Sequence, residues 1–171
     1  MGSEMCIRDS NISTYPATSA EGNSQKGAAM TVSGGTFKMN ESSLGRENSG
    51  DLDISGGEFT LENSSAIFHD GETGDINISG GTISLKDSSI IRGGDYQSED
   101  GKPASGDINV TGGTINADGS SAEIASVGNI KIANGAELNI ASGTTLFAKA
   151  ISEDMEQTQK ATLNVYDNNT K

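Results

Sequence analysis

Acidic side chains carry most of the chemistry available to this chain of 171 residues, with 24 Asp and Glu against 11 Lys and Arg, one His and one Cys. Two groups stand out. The first is a column of Gly-Asp steps, Gly50-Asp51, Gly74-Asp75 and Gly106-Asp107, continued by Gly128-Asn129. Carboxylates recurring at such intervals suit Ca²⁺, a hard cation that takes oxygen ligands. The plainer reading is that Asp after Gly accepts hydrogen bonds from turn amides, and it is preferred here. The second group lies in the stretches of variable length, Gly45 to Ser49, Phe68 to Thr73, Arg92 to Ser105 and Ala125 to Val127. If these stack along one edge, Arg92, Asp95, Tyr96, Glu99, Asp100 and Lys102 form a polar surface with one aromatic ring, the kind of lining that contacts a sugar. Asp70, Glu72, Asp75 and Asp95 would be the cation ligands of the same edge, with Glu47 and Arg46 nearby. A solvated acidic loop is the bland alternative.

Other chemistry is poorly provided for. His69 follows Phe68 in one of these stretches with no nucleophile beside it, and reads as an ordinary surface histidine on an exposed loop. Cys6 alone gives neither a disulfide framework nor a cysteine-rich zinc site. A net charge of −13 repels nucleic acid and anionic membrane surfaces. No run approaches the ~18 apolar residues of a membrane-spanning helix.

The elements that must position these groups are repeats. Gly pairs fall at Gly34-Gly35, Gly56-Gly57, Gly80-Gly81 and Gly112-Gly113, with Asn134-Gly135 as a fifth, so the intervals are 22, 24, 32 and 22 residues. Around them one phrase recurs: TVSGGTFKM, LDISGGEFTL, INISGGTISL, INVTGGTINA and IKIANGAELNI. A Ser-Ser pair follows four of them, at Ser42-Ser43, Ser64-Ser65, Ser88-Ser89 and Ser120-Ser121. Each repeat holds three short segments of period-2 alternation, the signature of strands. The first points Leu52/Ile54, Ile76/Ile78, Ile108/Val110 and Ile130/Ile132 inward. The second does so with Phe37/Met39, Phe59/Leu61, Ile83/Leu85, Ile115/Ala117 and Leu138/Ile140. Leu44, Ile67, Ile91, Ile124 and Leu146 close the third.

Strands this short do not hold a hairpin meander together. Stacked as rungs about 4.8 Å apart, each pairs with its equivalent in the next coil and the inward residues form continuous columns. The expected fold is therefore all-β, a right-handed parallel β-helix of about five coils of 22 to 32 residues with three short strands each. Asp53, Asn77 and Asn109 form an outward polar ladder of the kind that stabilises stacked strands. The solenoid is expected at residues 30–150, after a polar lead-in or partial coil at 11–29 and before a polar excursion at 151–171 in which Ala161 to Val165 could begin a partial sixth coil. Residues 1–10, MGSEMCIRDS, resemble translated adapter sequence and are set aside as non-native.

The phrases GDINISGGTISL and GDINVTGGTINA resemble β-helical repeats of bacterial secreted and cell-surface proteins. These are the adhesin-like SGGT arrays, and the phrases are also similar to a calcium-associated carbohydrate-binding β-helix domain. The latter family carries an acidic pair, Gly and an aliphatic residue after the second strand. Ser64-Ser65-Ala66-Ile67 and Ser88-Ser89-Ile90-Ile91 put hydroxyls there instead. The resemblance implies an extracellular or cell-surface, non-catalytic solenoid segment whose partners are polysaccharide or cell-surface glycan and the neighbouring coils of a longer parent, with Ca²⁺ as the cofactor to test. A fragment of a β-helical polysaccharide lyase or hydrolase is the alternative, and it requires acids converging on a groove. A structural spacer without ligand is the third reading.

Overall fold

The structure, a computed structural model of the chain, describes residues 4–8, 11–14, 29–46, 50–70, 74–94, 106–117, 121–133, 135–141, 144–148 and 163–165. Among them there are strands and turns but no helix. In chain order the strands are β1 (Glu4–Arg8), β2 (Asn11–Thr14), β3 (Met30–Asn40), β4 (Ser43–Arg46), β5 (Leu52–Glu62), β6 (Ala66–His69), β7 (Ile76–Ile78) and β8 (Thr82–Leu85). They continue with β9 (Ile90–Gly93), β10 (Ile108–Val110), β11 (Gly113–Ala117), β12 (Glu123–Ser126), β13 (Ile130–Ile132), β14 (Ala136–Ile140), β15 (Thr145–Ala148) and β16 (Leu163–Val165). Every pairing is parallel and joins equivalent segments of successive repeats. The chain is a parallel β-solenoid.

Three faces result. The first stacks the opening halves of β3 and β5, then β7, β10, β13 and β16. The second stacks β1, the closing halves of β3 and β5, then β8, β11 and β14. The third is a six-stranded sheet in the order β2, β4, β6, β9, β12, β15. Register follows the alternation residue for residue: Leu52 opposes Ile76, which opposes Ile108, which opposes Ile130. Phe59, Ile83 and Ile115 make the equivalent column on the second face, and Ile67, Ile91 and Ile124 on the third. Nine of these ten aliphatic and aromatic side chains are 0% exposed, and Ile124 is 1% exposed. Phe37 and Phe59 stack in their column with ring centroids 4.6 Å apart and planes within 4°.

Three features differ from the sequence-based expectation. In the lower coils the first two segments are single strands of 11 residues, β3 and β5, that run through the Gly pair. The bend is taken up by register shifts at Val32/Ser33 and Ser33/Thr36 instead of a break. The third strands reach two residues further than read, so Phe68, His69, Arg92 and Gly93 belong to strands and not to loops. The decapeptide set aside at the start contributes β1, which pairs with β3 from Glu4↔Thr36 to Arg8↔Asn40. Further along, Asn11–Thr14 of the polar lead-in pairs with β4, and Leu163–Val165 extends the first face over β13.

The Gly pairs are required by close approach as well as by backbone angle. A Cβ on Gly80 would lie 2.4 Å from the Ser55 carbonyl oxygen of the coil below. Gly81, at φ +87°, adopts a conformation that costs L side chains energy.

Candidate functional site

The Gly-Asp column is an inter-coil splice. The Asp75 N–H donates to Asp51 Oδ1 at 3.1 Å, the Asp107 N–H to Asp75 Oδ1 at 2.9 Å, and the Asn129 N–H to Asp107 Oδ1 at 2.8 Å. Each carboxylate thus satisfies the turn amide of the coil above, as the plainer reading of this column holds. Beside it runs the Asn ladder: Asn77 Nδ2 donates to Asp53 Oδ1 and Asn109 Nδ2 to Asn77 Oδ1, both at 2.9 Å. Lys131 takes the next position and turns to Asp107 Oδ2 at 2.6 Å. Burial by itself raises the Asp107 carboxyl. The Lys131 hydrogen bond, the Asn129 backbone and side-chain donors and the Lys131 charge outweigh it and hold the group below the ordinary carboxylate value.

The outer surface of the third face carries a second constellation. Strand pairing sets Gly45, Phe68, Arg92 and Ala125 in one column. Phe68 is only 8% exposed although it lies outside the core cluster. It lies over the bare backbone of Gly45, where a Cβ would come within 2.6 Å of its ring. The Arg92 guanidinium is 5.9 Å from the Phe68 ring centroid, a cation–π contact. Arg92 Nη2 also donates to both oxygens of Asp70, at 2.8 and 2.6 Å. Half-buried and charge-assisted, this contact is of the stronger kind.

Shortly after Arg92 stands Gly94, and the next described residue is Gly106. These two points touch: a Cβ on Gly106 would lie 2.7 Å from the Gly94 nitrogen. Gly94 N–H is bonded to the His69 carbonyl at 2.6 Å. Pairing of β9 with β12 and of β7 with β10 runs unbroken across the interval. The register of the stack is therefore kept across the 11 residues between them, and Arg92, Asp70 and Phe68 lie on the rungs next to that point.

Of the residues expected to contact a ligand, Arg92 is placed here, while Asp95, Tyr96, Glu99, Asp100 and Lys102 lie outside the described residues. Of the expected cation ligands, Asp70 is paired with Arg92 and Asp75 is in the splice, whereas Glu72 and Asp95 lie outside the described residues. Among the described residues no group of three or more His, Cys, Asp or Glu is placed to hold a metal ion.

His69 corrects the reading of it as a surface residue. It is 0% exposed, on β6, with Nε2 2.7 Å from the Gly50 carbonyl oxygen, to which it donates. Two coils on, Ser126 in the same column donates to the Gly106 carbonyl at 2.6 Å and accepts from the Gly128 N–H at 2.9 Å. Both side chains tie the end of a coil to the Gly that opens it. Sequence reasoning missed this because the column alternates between His, Gly and Ser, which share no hydropathy signal.

It also missed a recess of about 460 Å³ lined by Glu41, Asn63, Ser64, Asp87 and Ser88, at the corner between the second and third faces. Four of these five, Glu41, Asn63, Ser64 and Asp87, have left-handed backbone with φ between 49° and 64°, which Asn and Asp accept more readily than Glu or Ser. The Ser pairs marked the corner in the sequence. The register sets Ser43 opposite Ala66, so the buried column is Ser42, Ser65 and Ser89, and the first pair is shifted by one residue from the alignment of the motifs.

Comparison with family models, with curated proteins and with solved structures finds no match for this chain.

Proposed function

We propose that this chain is a non-catalytic β-solenoid segment of a bacterial cell-surface or secreted adhesin-like protein, and that it contacts glycans through the edge bearing the insertion. The observation that carries this reading is the meeting of Gly94 and Gly106 beside the Arg92–Asp70–Phe68 cluster. A stretch whose two flanking residues meet on a rigid stack can vary in sequence and carry recognition groups. Arg92 is held by Asp70 and Phe68, so a guanidinium is presented at fixed geometry just before Gly94, where the stretch that carries Tyr96 and its acids begins in sequence. Engagement of the Asp51, Asp75 and Asp107 carboxylates by backbone amides supports a stacking rather than a proton-transfer role for that column.

Binding of the full chain to a panel of plant and host polysaccharides, with Ca²⁺ and with chelator, tests the proposal. Saturable binding that falls at least about tenfold, or about 1.4 kcal/mol, when residues 95–105 are replaced by a short Gly linker is the expected result. Chelator sensitivity would add a cation to the site. No binding by a folded sample under either condition overturns the glycan proposal and leaves a spacer.

A further inference from the structure

At the corner between the second and third faces the coils are of unequal length. Strand pairing sets Met39, Leu61 and Leu85 in one column and Ser43, Ala66 and Ile90 in another. Four residues separate Leu61 from Ala66 and Leu85 from Ile90, but only three separate Met39 from Ser43. The lower turn is therefore one residue short: Glu41 falls in register with Ser64 and Ser88, and Asn63 and Asp87 have no counterpart in it. The recess of about 460 Å³ is lined by these same five residues, drawn from three successive turns.

Elsewhere the polar columns are engaged. Asp51, Asp75 and Asp107 accept from amides, the Asn ladder bonds to itself, and the Ser42 and Ser65 hydroxyls donate to the Asn40 and Glu62 carbonyls. The five lining side chains, by contrast, are exposed and make no hydrogen bond or ion pair with another described residue. Lys86, which follows β8, is paired with Glu62 at 2.9 Å, and among the described residues no Lys or Arg lines the recess to neutralise Glu41 and Asp87. Ser89, 0% exposed in the same turn as Asp87 and Ser88, holds the one buried side-chain polar atom without a hydrogen-bond partner among the described residues. That turn thus lacks the hydroxyl-to-carbonyl bond that closes the two turns below it.

Two uncompensated carboxylates on turns two rungs, or about 10 Å, apart favour a cationic ligand. The amide and the two hydroxyls beside them supply donors and acceptors for a ligand that carries hydroxyl groups. A lysine side chain would answer the charge and leave Asn63, Ser64 and Ser88 unmatched. The volume falls within the range of about 300–1,000 Å³ usual for small-ligand sites. We propose that this recess binds an amino-sugar unit, its ammonium group held by Glu41 and Asp87 and its hydroxyls by Asn63, Ser64 and Ser88. Ammonium-to-carboxylate hydrogen bonds are charge-assisted and supply the stronger contacts. This site lies apart from the Arg92 edge, so the two binding proposals fail separately.

Titration calorimetry of the full chain with a glucosamine tetramer and with its N-acetylated counterpart tests the proposal, in buffer acidic enough to keep the amines protonated and above the carboxylate range. The expected result is saturable binding of the first and binding at least about tenfold weaker for the second, which lacks the charge. Glu41→Gln and Asp87→Asn should each weaken binding of the glucosamine tetramer about fivefold or more and leave the circular dichroism spectrum unchanged. Glu58→Gln removes the same charge from an exposed position on the second face and should leave binding unchanged, as should replacement of residues 95–105 by a Gly linker. Absence of binding by the folded chain, equal affinity for the acetylated tetramer, an equal loss with Glu58→Gln, or equally tight binding of a lysine tetrapeptide would each overturn an amino-sugar site at this corner.

Discussion

The central rungs and the upper rung have the same alternating sequence and different surroundings. Ile83 and Leu85 of β8, and Ile115 and Ala117 of β11, are 0% exposed, whereas at the corresponding positions of β14 Leu138 is half-buried and Ile140 is 44% exposed. Each strand is too short to bury its own apolar residues. A rung in a solenoid is buried by its neighbours above and below, so position in the stack, not pattern, sets what a given side chain contributes. The polar columns obey the same rule: Asn109 is half-buried and bonded downward to Asn77, while Asn139 bonds to Asn116 at an exposed position.

That contrast is most severely tested by large core truncations. Phe59→Ala removes a 0% exposed ring from the column and from its stack on Phe37, and should destabilise by about 3–5 kcal/mol. Ile140→Ala should cost about 0.5 kcal/mol or less. Urea denaturation followed by circular dichroism measures both, and equal losses would show that the upper rung is buried in solution. The Gly corner gives a smaller effect of the same form. Gly80→Ala drives a Cβ against the Ser55 carbonyl and should cost about 1–3 kcal/mol, whereas Gly34, with nothing within 4 Å of its Cβ position, should accept Ala with little change in midpoint.

Next come the ladders. Asn109→Ala should cost about 1 kcal/mol, and leaves Asn77 Oδ1 without its donor, against a few tenths for Asn139→Ala. A comparable loss at both would mean that ladder bonds act independently of burial. The smallest expected effect is in acid. Since Asp107 is held below its unfolded value of about 3.9, its contribution is complete above that value and fades as pH falls through the lower folded value. Lys131→Met removes a main support of that depression, so the acid limb of the stability curve should move to higher pH. An unchanged limb would remove Lys131 from the account.

Much of the fold was legible because period-2 alternation and a near-constant repeat are both one-dimensional signals. The inward residues Leu52, Ile76, Ile108 and Ile130 could be aligned by eye, and the register joins the same four. The Asp53, Asn77 and Asn109 ladder was readable for the same reason. His69 was not: its neighbours in sequence are loop-like, and its burial depends on the Gly50 turn that folds over it from the start of the same coil. Arg92 was expected at the candidate edge, but its grip on Asp70 and its seat over Phe68 follow from a register that sets residues 22 and 24 positions apart side by side.

Composition and repeat determined, by themselves, that this chain is all-β, built of stacked parallel rungs, acidic and threaded by Gly corners. Those properties rest on local preferences and on spacing, which the linear order preserves. Only the tertiary structure decided which carboxylates engage amides and which engage Arg92, that the Gly pairs bend two strands without breaking them, and that Gly94 and Gly106 meet. Each of these depends on contacts between coils, and hydrogen bonds and steric exclusion act over a few ångströms of space irrespective of the 20 to 30 residues of chain between the partners.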